Sequence, residues 1–152
     1  MHICFTETVK KAYLSAIKDL FNNEIVAYKI SKHLNSSFVL RTLTTAVKRN
    51  KNNINGLILY SDQGTNYTSK TYQALLSKHG ITQNMSRRGN CLDNAYIENF
   101  FRYLKSELIY QNNYETFEEL SESIYQYIQW YNTERFQSKL NSRTPVEFRC
   151  AV

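Results

Sequence analysis

The sequence predicts a mixed α/β fold in which helices cover both faces of a central sheet. β-rich and amphipathic helical segments alternate along the chain in the order β-β-α-β-α-β-α-α, which is the pattern of packed sheet and helix layers. The 152 residues are enough for one hydrophobic core. The chain has only 4 glycines and 1 proline, which argues against long flexible linkers. We therefore expect one domain over residues 1–152.

The first half of the chain predicts a hairpin, a helix and a buried strand. Two β-rich segments, 13–21 and 24–30, are separated by Asn22-Asn23, and asparagine tolerates the positive φ of a tight turn. The polar run 35–37 offers an N-cap for an amphipathic helix over 38–49. Gly56 then precedes an apolar strand over 57–61.

The second half predicts further helices around one short strand. Ser69 can cap a helix over 70–79, and Gly80 can end it in the left-handed conformation. A strand over 81–85 and a polar, basic loop over 86–90 follow. Two more helices are expected over about 93–110 and about 116–134. Thr116 and Glu119 have the spacing of a capping box, which indicates where the last of these begins.

The composition indicates which kinds of partner suit the chain and which classes of protein are excluded. The formal net charge of +6 and the pI near 9.2 suit a polyanionic partner. No apolar run approaches the roughly 20 residues of a membrane span, and the first residues do not resemble a secretory signal. Cys4, Cys91 and Cys150 are widely spaced, so we expect reduced thiols in a cytoplasmic protein rather than disulfides or a zinc site.

Two carboxylates are the strongest candidates for chemistry. Asp62 ends the strand over 57–61, and Glu98 lies inside the helix that is expected from about residue 93. A strand-end carboxylate and a helix carboxylate can converge on bound Mg²⁺, as phosphoryl transfer on nucleic acid requires. Taken alone, Asp-Gln-Gly is usually a turn and a helical Glu is usually solvated. The 35 residues between the two carboxylates, and the words around them, favour the functional interpretation.

Those words are Ser61-Asp62-Gln63-Gly64 and the run from Asp93 to Phe101. Together they resemble the catalytic core of bacterial insertion-sequence transposases related to retroviral integrases, which carry an Asp, Asp, Glu triad with this last spacing. The resemblance covers about residues 13–148. It implies a ribonuclease H-like sheet flanked by helices, with Asp62 and Glu98 as catalytic residues and metal ligands. It also implies two Mg²⁺ or Mn²⁺ ions, and cleavage and joining of DNA ends.

The first carboxylate of that triad is absent from this chain. The family pattern Asp-[Ile/Val]-Thr-x-Phe stands roughly where Met1 to Phe5 stand, so we expect the first strand to be incomplete. Asp19 is the only Asp before Asp62, and by the match it is a structural residue near a turn. Two hypotheses follow. Either an upstream or frameshifted segment supplies the Asp, or the chain is an inactive fragment that binds DNA or a full-length transposase. We favour the second for the chain as given.

Polar and basic side chains around these carboxylates are candidate DNA contacts. Arg102 and Lys105 share the helical stripe of Glu98, and the loop 86–90 leads into the same helix. Such contacts position the DNA backbone rather than read bases. The alternatives are a solvated loop, an ion pair between Glu98 and Arg102, and a helix N-cap for Asp93. The candidate contacts are Arg87, Arg88, Asn94, Arg102 and Lys105. The expected partners are DNA and either a second copy of the chain or a full-length transposase.

Overall fold

Five strands form one mixed sheet in the order β3-β2-β1-β4-β5. The structure is a computed structural model that describes residues 2–9 as backbone, and residues 12–50, 54–85 and 95–151 with their side chains. β1, β2 and β3 form an antiparallel meander, and β4 and β5 run parallel to β1. The strands are β1 (His2–Val9), β2 (Ala12–Asp19), β3 (Ile25–Ser31), β4 (Ile58–Ser61) and β5 (Thr82–Met85).

Helices follow the hairpin and separate the parallel strands. The α-helices are α1 (Ser36–Arg49), α2 (Thr65–Thr68), α3 (Lys70–Lys78), α4 (Ala95–Leu104), α5 (Phe117–Thr133) and α6 (Pro145–Cys150). α4 continues as a π-helical segment over Lys105–Ile109, and a 3₁₀ turn covers Ser138–Leu140. The predicted mixed sheet flanked by helices is therefore confirmed.

Local capping chemistry explains where these elements begin and end. Asn23 takes a positive φ of 63° in the β2–β3 turn. The Asn35 side chain accepts a hydrogen bond at the start of α1, and Ser69 does the same for α3. Thr116 forms the expected capping box with Glu119 at the start of α5. These boundaries agree with the predicted ones to within about two residues.

Two hydrophobic clusters fill the two faces of the sheet. Leu14 and Ala16 of β2 belong to a cluster with α4 and α5, which we call the α4–α5 face. Ile17 of β2 points the other way, into a cluster with α1 and α3. This alternation is the period of two expected of a strand that is covered on both sides.

Polar contacts fix the ends of the helices to the sheet. Glu24, which is 1% exposed, binds Arg49 of α1 at 3.0 Å and Arg149 of α6 at 2.6 Å. Asn132 of α5 accepts a hydrogen bond from the Ile25 N–H at 3.0 Å and donates one to the Ile25 carbonyl at 3.1 Å. Asn132 thus completes the backbone pairing of an edge strand, which holds the end of α5 against β3.

Some elements differ from the predicted order. β1 lies at the centre of the sheet, although the predicted order begins with the β2–β3 hairpin. β1 pairs with β2 along all eight of its residues, and with β4 only at His2 and Ile3. That this strand is incomplete stays a prediction. The short helices α2 and α6 were not predicted, because one or two turns give too little periodicity to recognise.

Candidate active site

Asp62 lies directly after β4, where the strand leaves the sheet. Its side chain is half-buried, and its Oδ1 accepts a hydrogen bond from the Gly64 N–H at 2.8 Å. A Cβ on residue 64 would lie 2.8 Å from that same oxygen, so glycine is needed for this contact. The neighbouring Ser61 hydroxyl accepts from Gln83 Nε2 at 2.8 Å. The turn expected of Asp-Gln-Gly therefore exists, and it orients the carboxylate.

Glu98 lies in the first turn of α4 and is exposed. The buried side of the helix carries Ile97, Phe100, Phe101 and Leu104. With about 100° between successive residues, Glu98 lies beside that buried side rather than opposite it. This is the position that the apolar stripe predicts.

The topology brings Asp62 and α4 to one face of the sheet. Tyr60 of β4 packs against the α4–α5 cluster, and Asp62 is two residues further along the chain. Side chains two residues apart on a strand share a face, so Asp62 has the register of the α4–α5 face. α4 also packs against β1, the neighbour of β4. Asp62 thus follows a strand whose Tyr60 packs against the α4–α5 cluster, and the approach of the Asp62 and Glu98 carboxylates stays a prediction.

Arg102 does not form the ion pair with Glu98 that was the alternative to a DNA contact. Its guanidinium donates to Asn99 Oδ1 at 3.0 Å and lies 5.3 Å from the centre of the Tyr103 ring. No salt bridge of the described residues involves Glu98. Arg102 therefore leans away from Glu98, while Lys105 is half-buried at the start of the π-helical segment. The proposed DNA contacts of both residues stay predictions.

Several candidates lie outside the described residues. Arg87, Arg88 and Asn94 fall in the range 86–94, and so does Asp93, for which a helix N-cap is expected. Asp19 is described, and its Oδ1 accepts from the Phe21 N–H at 2.9 Å. It lies at the β2–β3 turn, where the sequence match puts it.

A partly exposed network of hydrogen bonds holds the far end of α4, and sequence reasoning missed it. Arg135 donates to both oxygens of Glu107, at 2.6 and 3.1 Å, and the Tyr127 hydroxyl donates to Glu107 Oε2 at 2.7 Å. Burial raises the pKa of Glu107, but the hydrogen bonds from Arg135 and Tyr127 outweigh this and hold the pKa below its usual value. The spacing of 28 residues between Glu107 and Arg135 carries no helical or strand signal.

Lys18 is a second residue that sequence reasoning missed. It is 4% exposed, and its Nζ donates to the Tyr96 carbonyl of α4 at 2.9 Å. Burial, and then the charges of Lys139 and Arg135, lower its pKa to about 8. A signal was present in the sequence, since Lys18 is in phase with Leu14 and Ala16, which face the core.

The donors available for a metal ion are carboxylates. Among the residues that the structure describes, no group of three or more His, Cys, Asp or Glu side chains could hold an ion. The carboxylates of Asp62 and Glu98 offer hard oxygen donors, whose chemistry fits a hard divalent ion and does not fit a zinc site of Cys and His.

Comparison with protein families decides the class of the chain. Two models described as "Integrase core domain" match it, one over residues 1–91 and the other over residues 98–152. The chain belongs to the integrase core family. As a family, these domains act on DNA, use divalent metal ions and oligomerise.

Related proteins come from bacterial insertion sequences. A transposase-like protein of Haemophilus influenzae is 48% identical over 141 residues, which are 91% of this chain and 63% of that protein. The transposase for insertion sequence element IS904 of Lactococcus lactis is 37% identical over 137 residues, or 90% of this chain and 54% of that protein. The chain thus spans between about half and two thirds of the length of these relatives.

A solved structure shares the fold of this integrase core. The catalytic core domain of BIV integrase matches with a TM-score of 0.77 at 18% identity, over 99% of this chain and 93% of that one. The predicted ribonuclease H-like class is confirmed. Across the described part of the chain, no helix has both the length and the apolar character needed to cross a bilayer.

Proposed function

We propose that this integrase core is the catalytic portion of an insertion-sequence transposase that cleaves DNA strands and joins them with the help of divalent ions. Asp62 and Glu98 are its metal-binding carboxylates. The observation that carries the proposal is topological: Asp62 directly follows β4, whose Tyr60 packs on the face that α4, the helix of Glu98, covers. In open α/β sheets, ligands bind outside the carboxyl ends of the strands, and Asp62 stands at such an end.

Each side chain then has a defined task. Asp62 is oriented through Gly64, which holds one carboxylate oxygen and leaves the other able to bind an ion. Glu98 approaches from a rigid helix whose buried side is fixed in the core. We propose Mg²⁺ or Mn²⁺ as the ion, with two ions in the complete site. When bound, such ions would activate the attacking oxygen and stabilise the negative charge on the leaving oxygen.

DNA binding in this proposal uses four basic residues and one asparagine that are close to Glu98 in sequence. Positively charged side chains neutralise backbone phosphates and release counterions, which makes the affinity dependent on salt and largely independent of sequence. The net charge of +6 supports such a partner. The residues assigned to phosphate contact are Arg87, Arg88, Asn94, Arg102 and Lys105.

A second candidate is a chain without catalytic power of its own, which only binds DNA or a full-length transposase. The observation that favours it is the place of Asp19, the first Asp of the sequence, whose Oδ1 accepts a hydrogen bond from the Phe21 N–H at the β2–β3 turn. With two carboxylates, the affinity for a second cation is low, because neighbouring cations repel each other unless an anion lies between them.

One experiment separates the two candidates. Labelled DNA carrying the ends of the encoding element is incubated with Mg²⁺ or Mn²⁺ and either this chain or the chain extended by a first strand that carries Asp. We expect strand transfer from the extended chain and very little from the unextended one. The Asp62→Asn and Glu98→Gln variants of the extended chain should bind DNA normally and lose strand transfer. Full activity in either variant would exclude that residue as a metal ligand. Robust transfer by the unextended chain, abolished by Asp19→Asn, would instead make Asp19 the third carboxylate.

A further inference from the structure

A cationic cavity lies on the side of α4 that faces away from Glu98. Its volume is about 380 Å³, and it is enclosed by the end of β2, by α4 and by the segment that follows α5. We call it the Lys18 cavity. The charged groups that line it are Lys18, Arg135 and Lys139, and none of its described lining residues is acidic.

Two of these three charges have no carboxylate partner among the described residues. Arg135 is neutralised by Glu107, which it binds with two nitrogens. Lys18 donates only to a backbone carbonyl, and the described salt bridges include neither Lys18 nor Lys139. Of these two, Lys18 is buried and Lys139 is exposed. A buried charge without a partner is costly, and such groups cluster at functional sites.

The walls of the cavity hold these cations in place. Arg135 lies 4.5 Å from the centre of the Tyr103 ring, and Lys139 lies 5.6 Å from the centre of the Tyr96 ring. Gln137 adds an uncommitted donor: its Nε2 is buried beside the Tyr131 hydroxyl, but makes no hydrogen bond of acceptable geometry. The cavity thus combines fixed positive charge with a buried N–H donor, and these are the groups that bind a phosphate oxygen.

The positions of residues around α4 show where the cavity lies relative to Glu98. Tyr96 and Tyr103 lie roughly 140–160° around α4 from Glu98, so the carboxylate and the cavity occupy opposite flanks of one helix. An α-helix with its side chains is about 10–12 Å across, which is close to three base steps along one DNA strand. Arg102 leans over the exposed side between the two flanks, through Asn99 and Tyr103.

We propose that the Lys18 cavity binds one backbone phosphate of the DNA. This phosphate lies across α4 from Glu98, the carboxylate proposed to act at the scissile phosphate. This inference rests on the proposed function, because it takes its ligand from the DNA substrate. The cavity supplies a second fixed point, so that the strand is held on both flanks of the catalytic helix.

The test measures DNA affinity as a function of salt. Binding of a fluorescent duplex of arbitrary sequence is followed by anisotropy between about 50 and 200 mM NaCl, the range in which phosphate contacts alter affinity strongly. The variants are Lys18→Met and Lys139→Gln. The matched control is Lys48→Met, which makes the same chemical change at an exposed site at the end of α1, on the opposite face of the sheet.

We expect Lys18→Met and Lys139→Gln each to weaken binding several-fold and to reduce the slope of log K against log[NaCl] by about 0.9, the value for one lost phosphate contact. Lys48→Met should leave the slope unchanged. If wild type binds DNA but neither cavity variant changes the slope, the cavity is not a DNA contact, and the proposed function is unaffected. If wild type binds no DNA, both proposals fail.

A second arm separates DNA phosphate from free phosphate. The melting temperature is measured with and without inorganic phosphate at constant ionic strength, for wild type and for Lys18→Met. A phosphate-dependent rise in wild type alone, together with an unchanged DNA slope in Lys18→Met, would assign the cavity to a small anion and overturn the DNA assignment. A loss of DNA slope in a variant with normal circular dichroism supports it.

Discussion

Replacing Lys18 by methionine should make the folded chain more stable at neutral pH, although most core substitutions destabilise. Lys18 is 4% exposed, lines the Lys18 cavity and donates to the Tyr96 carbonyl of α4. Burial, followed by the nearby charges of Lys139 and Arg135, lowers its pKa from 10.5 to about 8. Each pKa unit corresponds to about 1.4 kcal/mol, so keeping Lys18 charged costs the folded state about 3 kcal/mol relative to the unfolded state.

The sign of this effect defines a pH window. The folded pKa lies below the unfolded one, so the cost is fully present below about pH 8. It fades as the pH rises towards 10.5, because the unfolded chain then binds more protons than the folded chain. Methionine fills a similar volume without charge. After about 1 kcal/mol for the lost hydrogen bond to the Tyr96 carbonyl, we expect a net gain of roughly 2 kcal/mol at pH 7.

Urea denaturation of wild type and Lys18→Met at pH 7 and at about pH 9.5 measures both quantities. The advantage of the variant should shrink by more than half at the higher pH, since about half of the charging cost has then gone. Tyrosine ionisation is common to both proteins and cancels in the difference. Lys48→Met should change stability by less than about 0.5 kcal/mol at either pH. A Lys18→Met variant that is less stable than wild type at pH 7, or a difference that does not change with pH, would refute this reasoning.

Three further substitutions test other parts of the structure. Glu24→Gln should lower the free energy of unfolding by about 2–3 kcal/mol, because charge-assisted hydrogen bonds to two arginines are lost. Urea denaturation measures this loss, and the control Glu134→Gln should leave the free energy of unfolding almost unchanged. Asn132→Ala should cost about 1–3 kcal/mol by leaving two buried backbone groups unpaired, and a loss below about 0.5 kcal/mol would mean that water replaces the amide. Gly64→Ala should weaken Mn²⁺ binding, measured by calorimetry, about tenfold while changing stability by less than about 1 kcal/mol, since its Cβ displaces only the Asp62 carboxylate. Unchanged Mn²⁺ affinity in Gly64→Ala would contradict the orienting role of the turn.

Helix boundaries in this chain could be predicted because they depend on local chemistry. Asn35, Ser69 and Thr116 cap α1, α3 and α5 through contacts within three residues, and Gly80 takes the positive φ that ends α3. Such contacts need no knowledge of the tertiary fold.

The parts that escaped prediction depend on contacts that are distant in sequence. The amide of Asn132 binds the backbone of Ile25, 107 residues away. Contacts with α5 and the segment after it accompany the π-helical segment after α4 and the Glu107–Arg135 pair. The spacing of residues in the sequence does not predict such contacts. Arg102 shares the stripe of Glu98 by spacing, yet its guanidinium reaches Asn99 and Tyr103, because a planar cation stacks on an aromatic ring.

In the candidate site too, the features that depend on local sequence could be predicted, and those that depend on the folded structure could not. The position of Asp62 at a strand end, and of Glu98 beside the apolar stripe of α4, could be read from the pattern of residues. The role of Gly64 in orienting Asp62, and the convergence of cations on the Lys18 cavity, depend on the folded geometry.

Anomalous scattering from crystals grown with Mn²⁺ shows whether Asp62 and Glu98 together form one divalent-metal site. We expect an anomalous peak from an ion that carboxylate oxygens of both residues bind, and no such peak in Asp62→Asn crystals of the same form. Two well-ordered carboxylates more than about 8 Å apart, twice the usual separation of paired metal ions, with no Mn²⁺ between them, would exclude a shared site.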